Sequence, residues 1–180
     1  RITDTRGFSG EDFKYELQVR PRMPSFSVSL GGANPTINAG SGKEFSVSVD
    51  RVDGFEGEIR VDIGGLPPGF HATTPVVIQA GQTQALGTLN AEPGAPKLPL
   101  ENAKATKVTA TAMIRGKEVT KDVNNFGEIK LADKPKVLVK LLAANDDSPA
   151  PTIDAPLELT IAPGETITAR VQIERNGFDG

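Results

Sequence analysis

Short runs in which Val, Ile, Leu or Phe fill every second position, each closed by glycine or proline, leave this chain little choice of architecture. Phe26, Val28 and Leu30 alternate with serines; Phe45, Val47 and Val49 alternate with Ser46, Ser48 and Asp50; Ile59, Val61 and Ile63 alternate with Arg60 and Asp62. A period of two places all the apolar side chains of a run on one face of a β-strand, and such a strand is half-buried. No stretch places apolar residues at the 3.6-residue period of a helix. With 19 Gly and 14 Pro to end the runs, the strands must be short and the turns many. The pattern predicts an all-β chain built on an immunoglobulin-like β-sandwich, in the sense of architecture only. With no Cys and no Trp, the disulfide stacked on a tryptophan that marks antibody domains is excluded.

The punctuation divides the chain. Phe13, Tyr15, Leu17 and Val19 predict a half-buried strand stopped by Pro21 and Pro24, which we assign to the last strands of a preceding β-domain spanning residues 1–22. From 23 to 131 the runs number seven or eight, as a sandwich of about 100 residues requires. They include short strands near Thr36-Ile37, Phe70–Thr73, Val76–Ile78 and Gln84–Leu89, and a hairpin, Lys107–Ile114 with Glu118–Val123, around Arg115-Gly116-Lys117. Asp53-Gly54 predicts a tight reversal, because glycine tolerates positive φ. Gly65-Leu66-Pro67-Pro68-Gly69 predicts a rigid corner. Residues 91–103 form a proline-containing connection and 124–134 a linker. Residues 132–180 then begin a second, incomplete sandwich, with strands at Val137, Val139 and Leu141, at Leu159 and Ile161, and at Ile167, Val171 and Ile173.

That second segment repeats the first. Thr36-Ile37-Asn38-Ala39-Gly40 matches Thr160-Ile161-Ala162-Pro163-Gly164, and Val47-Ser48-Val49-Asp50-Arg51 matches Val171-Gln172-Ile173-Glu174-Arg175. Asp53-Gly54-Phe55-Glu56-Gly57 then matches Asn176-Gly177-Phe178-Asp179-Gly180. The offset is 124 at the glycine (40 to 164) and 123 at the turn (57 to 180), one domain length in either case. The phenylalanine of each turn is expected to pack over a sandwich end. Too few strands lie in 135–180 to close a sandwich, so pairing with a partner or disorder is expected there.

Few residues invite chemistry. His71 is the sole histidine, at a strand start and without a nucleophile-elbow pattern, so a solvated or structural role is expected. Asp50, Asp53, Glu56 and Asp62, and separately Asn145, Asp146, Asp147 and Asp154, are the acidic groups that a calcium ion could use, although neither set has the spacing of an EF-hand loop. The 23 acidic residues are scattered and single out no pair for glycoside hydrolysis. Sugar-stacking aromatics are scarce, with no Trp and Tyr15 as the one tyrosine. Gly31-Gly32 and Gly64-Gly65 precede no helix and are not phosphate loops. A net charge of −3 without a basic cluster argues against nucleic acid. No run of about 18 apolar residues is present to span a membrane. No catalytic, cofactor or metal residues are assigned.

The turn Arg51-Val52-Asp53-Gly54-Phe55-Glu56-Gly57, followed by a strand and Gly65-Leu66-Pro67-Pro68-Gly69, resembles repeats of large exported proteins of Planctomycetes and related bacteria. Asp4-Thr5-Arg6-Gly7-Phe8-Ser9-Gly10 with Phe13-Lys14-Tyr15-Glu16-Leu17 looks like the end of a bacterial pre-peptidase C-terminal domain, which commonly precedes such repeats. The resemblance implies a non-catalytic structural or spacer segment of a secreted, periplasmic or cell-surface multidomain protein. Its partners would be other domains of the same polypeptide, or copies paired through exposed edge strands. An adhesion or carbohydrate-binding module, and an accessory domain of an exported enzyme whose active site lies elsewhere, are the alternatives. The chain begins mid-pattern, so we expect its own start to lie upstream, and the lack of a signal peptide says nothing about export.

Overall fold

The computed structural model describes residues 5–8, 10–12, 14, 16–98, 105–144 and 159–178. Among them it contains no helix, and the strands are β1 (Ser25–Leu30), β2 (Thr36–Asn38), β3 (Gly42–Val52), β4 (Ile59–Gly64), β5 (Phe70–Ala72), β6 (Val76–Ile78), β7 (Gln84–Ala91), β8 (Lys107–Ile114), β9 (Lys117–Val123), β10 (Lys130–Ala132), β11 (Val137–Ala143) and β12 (Ala169–Arg175). The expected all-β sandwich is present. One four-stranded antiparallel sheet has the order β1-β3-β7-β5 and the other β6-β4-β8-β9. β5 and β6 are consecutive in the chain yet lie at the edges of different sheets, so the connection from β4 to β7 visits both.

The alternating residues of the two sheets meet in one core. Phe26, Phe45, Val47 and Val49 from the first sheet and Ile59, Val61, Ile63, Val108 and Ala110 from the second are all buried in it. Burying a side chain of this size contributes about 1.5–3 kcal/mol, and the two sheets supply that contribution to each other. The outward positions of the first sheet carry Ser27, Ser29, Ser46 and Ser48. Those of the second carry Arg60, paired with Asp62, and a Thr111–Thr120 hydroxyl pair at 2.9 Å.

The turns follow their residues. Arg115 and Gly116 both have positive φ (50° and 78°), the backbone that closes a two-residue hairpin between β8 and β9. Asp53 and Gly54 adopt the same pair of conformations, but β3 and β4 belong to different sheets. That reversal therefore carries the chain across the sandwich end and is not a hairpin.

Two expectations need correction. Residues 124–134 are not a linker. Phe126 and Ile129 are fully buried, the Phe126 ring stands edge-on to Phe45 with centroids 5.1 Å apart, and β10 pairs in parallel with β2. Asn124 completes this closure: its Oδ1 accepts from Leu30 N at 2.8 Å and its Nδ2 donates to Leu30 O at 2.7 Å. The sandwich thus runs through Ala132. Nor do the described residues of 13–20 form a strand, since Lys14 and residues 16–20 have no sheet partner and Leu17 and Val19 are exposed. Alternation set the face those residues would present, but among the described residues no strand pairs with them. Phe13 and Tyr15 lie outside the described residues.

Candidate functional site

Among the described residues, the turn at the end of β3 carries a dense set of polar contacts. Arg51 is the last inward residue of the β3 alternation, where a strand emerges from the core. Its Nη1 donates to Gly57 O at 2.7 Å, its Nη2 to Gln79 O at 3.1 Å and Gln82 O at 2.9 Å, and its Nε also to Gln82 O at 3.0 Å. The planar guanidinium suits this task because it offers five donors in a fixed fork. It also lies over the Phe55 ring, 5.5 Å from the centroid, and Phe55 packs against Phe26 at 5.5 Å. Phe55 is buried, as its place in the turn predicted.

Asp53 faces the other way and holds the incoming chain. Its Oδ2 accepts from Met23 N at 2.9 Å, and its carboxylate pairs with the Arg20 guanidinium. The Arg20 hydrogen bond, supported by that from Met23 N, holds the Asp53 carboxyl below the usual carboxylate range. Arg115, from the β8–β9 turn, donates to Arg22 O and fixes the same segment from the opposite sheet. Residues 20–23 are thereby latched to the sandwich without belonging to a sheet.

β11 and β12 form an antiparallel hairpin, and a latch of the same kind recurs there. Asn176 N donates to Lys136 O at 2.7 Å and Asn176 Nδ2 to Pro135 O at 3.0 Å. Met23 precedes the β1 residue opposite Val52 by two positions, and Pro135 precedes the β11 residue opposite Arg175 by two. Lys140 pairs with Glu174 across the hairpin at 2.8 Å and lowers the pKa of that carboxyl. Leu159, Ile161 and Ile167 were expected in strands but lie outside any, and all three are exposed. Phe178, the counterpart of Phe55, is exposed as well.

The first set of candidate calcium residues is not brought together. Asp53 is taken by Arg20 and Met23, Asp62 by Arg60, and Asp50 lies exposed on β3. Among the described residues no three His, Cys, Asp or Glu groups converge on one point. Asn145, Asp146, Asp147 and Asp154 fall outside the described residues. His71 pairs through Nε2 with Glu92 Oε1 at 2.9 Å, half-exposed on β5. A shallow groove of about 320 Å³ lies between Gly40–Gly42, Asn90–Pro93 and Leu138–Lys140. No helix among the described residues is long and apolar enough to cross a membrane.

Sequence reasoning missed the Arg51 fork, the Asn124 clamp and Lys121. The Lys121 ammonium donates to Ser25 Oγ at 2.8 Å and Phe26 O at 2.6 Å while standing 5.0 Å from the Phe26 ring centroid. Only the arginine left a trace in the sequence, at the same place in both copies of the repeat. No family model matches this chain, no curated protein matches it, and no solved structure matches it.

Proposed function

We propose that this chain is a structural, non-catalytic spacer segment of a secreted, periplasmic or cell-surface multidomain protein, in which immunoglobulin-like sandwich units follow one another. The observation that carries the reading is the repeated latch. Asp53 holds the backbone just before β1, and Asn176 holds the backbone just before β11. A chain that pins each entering segment to its unit fixes the direction in which successive units leave one another, which is what a spacer needs. The repeated strand-and-turn sequence and its resemblance to repeats of exported planctomycete proteins support the same role and the same location. The outward faces of both sheets carry hydroxyl and charged side chains in place of stacking aromatics, so the glycan-binding alternative gains no support.

The test is a distance distribution. The chain has no cysteine, so Ser27→Cys and Gln172→Cys, both at exposed positions, take two nitroxide labels cleanly. Pulsed electron resonance is expected to give one narrow distance peak, broadened by Asn176→Ala. A broad distribution in the chain without Asn176→Ala would mean a flexible tether and would overturn the spacer role.

A further inference from the structure

The register of the β11–β12 hairpin is that of β1–β3. In the first pair Phe26, Val28 and Leu30 stand opposite Arg51, Val49 and Val47. In the second, Val137, Val139 and Leu141 stand opposite Arg175, Ile173 and Val171. Opposed residues of an antiparallel pair share a face, so each pair builds one apolar face ending at an arginine. In the first pair that face is covered, with Phe26 at 1%, Leu30 at 5%, Val47 at 0% and Val49 at 6% exposure. In the second it is bare, with Leu141 at 54%, Val139 at 62%, Val171 at 60% and Ile173 at 57%.

What covers the first face is visible: β4 and β8, presenting Ile59, Val61, Ile63 and Val108, Ala110, Ala112 at every second position. We propose that the bare face of β11–β12 is half of a second sandwich core, and that its occupant is a β-sheet of this same kind, with Ile and Val alternating along a strand that follows the Phe178 turn. The proposal rests on the tandem-unit reading above and adds the partner's chemistry and register to it. In that register Arg175 takes the place of Arg51 and Phe178 that of Phe55, at the rim of the new core.

A second copy of the chain is a poor occupant. Its β6-β4-β8-β9 sheet is already spent on its own core, which leaves hairpin against hairpin. Two seven-residue strands at about 3.4 Å per residue and about 4.8 Å apart offer roughly 230 Å² of face. A stable interface needs about 800 Å² from each partner.

The experiment supplies the proposed occupant in cis. Residues 58–132 of the same sequence are appended after Gly180, so that the first unit's covering strands follow the second turn in their native order. Hydrogen–deuterium exchange is read on peptides spanning 137–143 and 169–175, with 25–52, which occurs once in the lengthened chain, as the internal reference. Exchange in both peptides is expected to slow by about 100-fold or more in the lengthened chain, and Ile173→Lys in that chain is expected to restore fast exchange. No slowing overturns the proposal. Slowing in the 180-residue chain that grows with protein concentration also overturns it, by naming a second copy as the occupant. The 180-residue chain offers a check that does not depend on the added strands folding: it is expected to bind the apolar dye bis-ANS, and Val139→Ser with Ile173→Ser to abolish that binding. Dye binding unchanged by these substitutions counts against an open apolar face. A broad label-distance distribution would remove the spacer role and leave the exchange result standing.

Discussion

The strand pairs β1–β3 and β11–β12 carry the same alternation and the same register, and only the first buries its apolar face. Strand pairing is therefore the smaller part of what holds this fold. β11 and β12 pair along their whole length, yet Val137, Val139, Leu141, Val171 and Ile173 face solvent as if unpaired. β1 and β3 pair no better, but a second sheet lies across them. Hydrogen bonds along a ladder contribute little net free energy, because the unfolded chain makes equivalent bonds to water. Covering the face is what stabilises, and an isolated two-stranded ribbon is marginal in water.

The difference can be measured, and the largest effect belongs to the covered side. Phe26→Ala or Phe126→Ala empties a fully buried ring site and is expected to cost about 3–5 kcal/mol in urea unfolding of the sandwich. Phe126 is the sharper choice, because a segment lying outside the core would show almost no loss. Arg51→Ala comes next. It removes the fork that satisfies Gly57, Gln79 and Gln82 carbonyls, and a loss of about 1.5–3 kcal/mol is expected in the same assay.

Asp53 gives a smaller effect with a defined pH dependence. Its carboxyl has a lowered pKa in the folded chain, chiefly through Arg20. A depressed carboxylate contributes stability that is fully present above its unfolded pKa, about 3.9, and is lost as pH falls through the folded value. Thermal melts at descending pH should therefore show a loss below pH 4 that Asp53→Asn removes. An identical pH profile in the variant would mean that the latch contributes nothing. The pair is solvent-exposed, so the change should be modest and should shrink further in high salt. Smallest of all is Ile173→Ser in the 180-residue chain. On a bare face it should shift the sandwich's unfolding by no more than about 0.5 kcal/mol, where Val49→Ser, its counterpart, should cost several times that.

Alternation made the strands of the sandwich readable before any coordinates, because a buried period-two run has little else to become. The turns were readable where Asp-Gly and Arg-Gly carried positive φ. Phe126 and Ile129 escaped because two apolar residues three apart among Asn, Gly and Glu show no period. Only their position against Phe45 makes them core. Leu17 and Val19 misled in the opposite sense, since alternation states which face a strand would present and not whether a neighbouring strand exists. The polar clasps at Arg51, Asn124 and Lys121 join residues up to 96 positions apart, and no local pattern announces a contact at that range. Acidic neighbours along the chain said little about grouping in space, since Asp53 pairs with Arg20 and Asp62 with Arg60.

The Asn124 clamp has a consequence for copies strung on one polypeptide. Neighbouring repeats of similar sequence are prone to exchange strands while they fold, and the vulnerable place is the free edge of each sheet. β1 is such an edge, and at its last residue, Leu30, the donor and the acceptor that would receive an intruding strand are both already occupied by one carboxamide. If tandem units follow one another as proposed above, a strand of a neighbouring unit arriving beside β1 meets a blocked rung where templated growth would begin. A single side chain thus closes the last rung of β1 to a further strand and favours closure of the sandwich on itself.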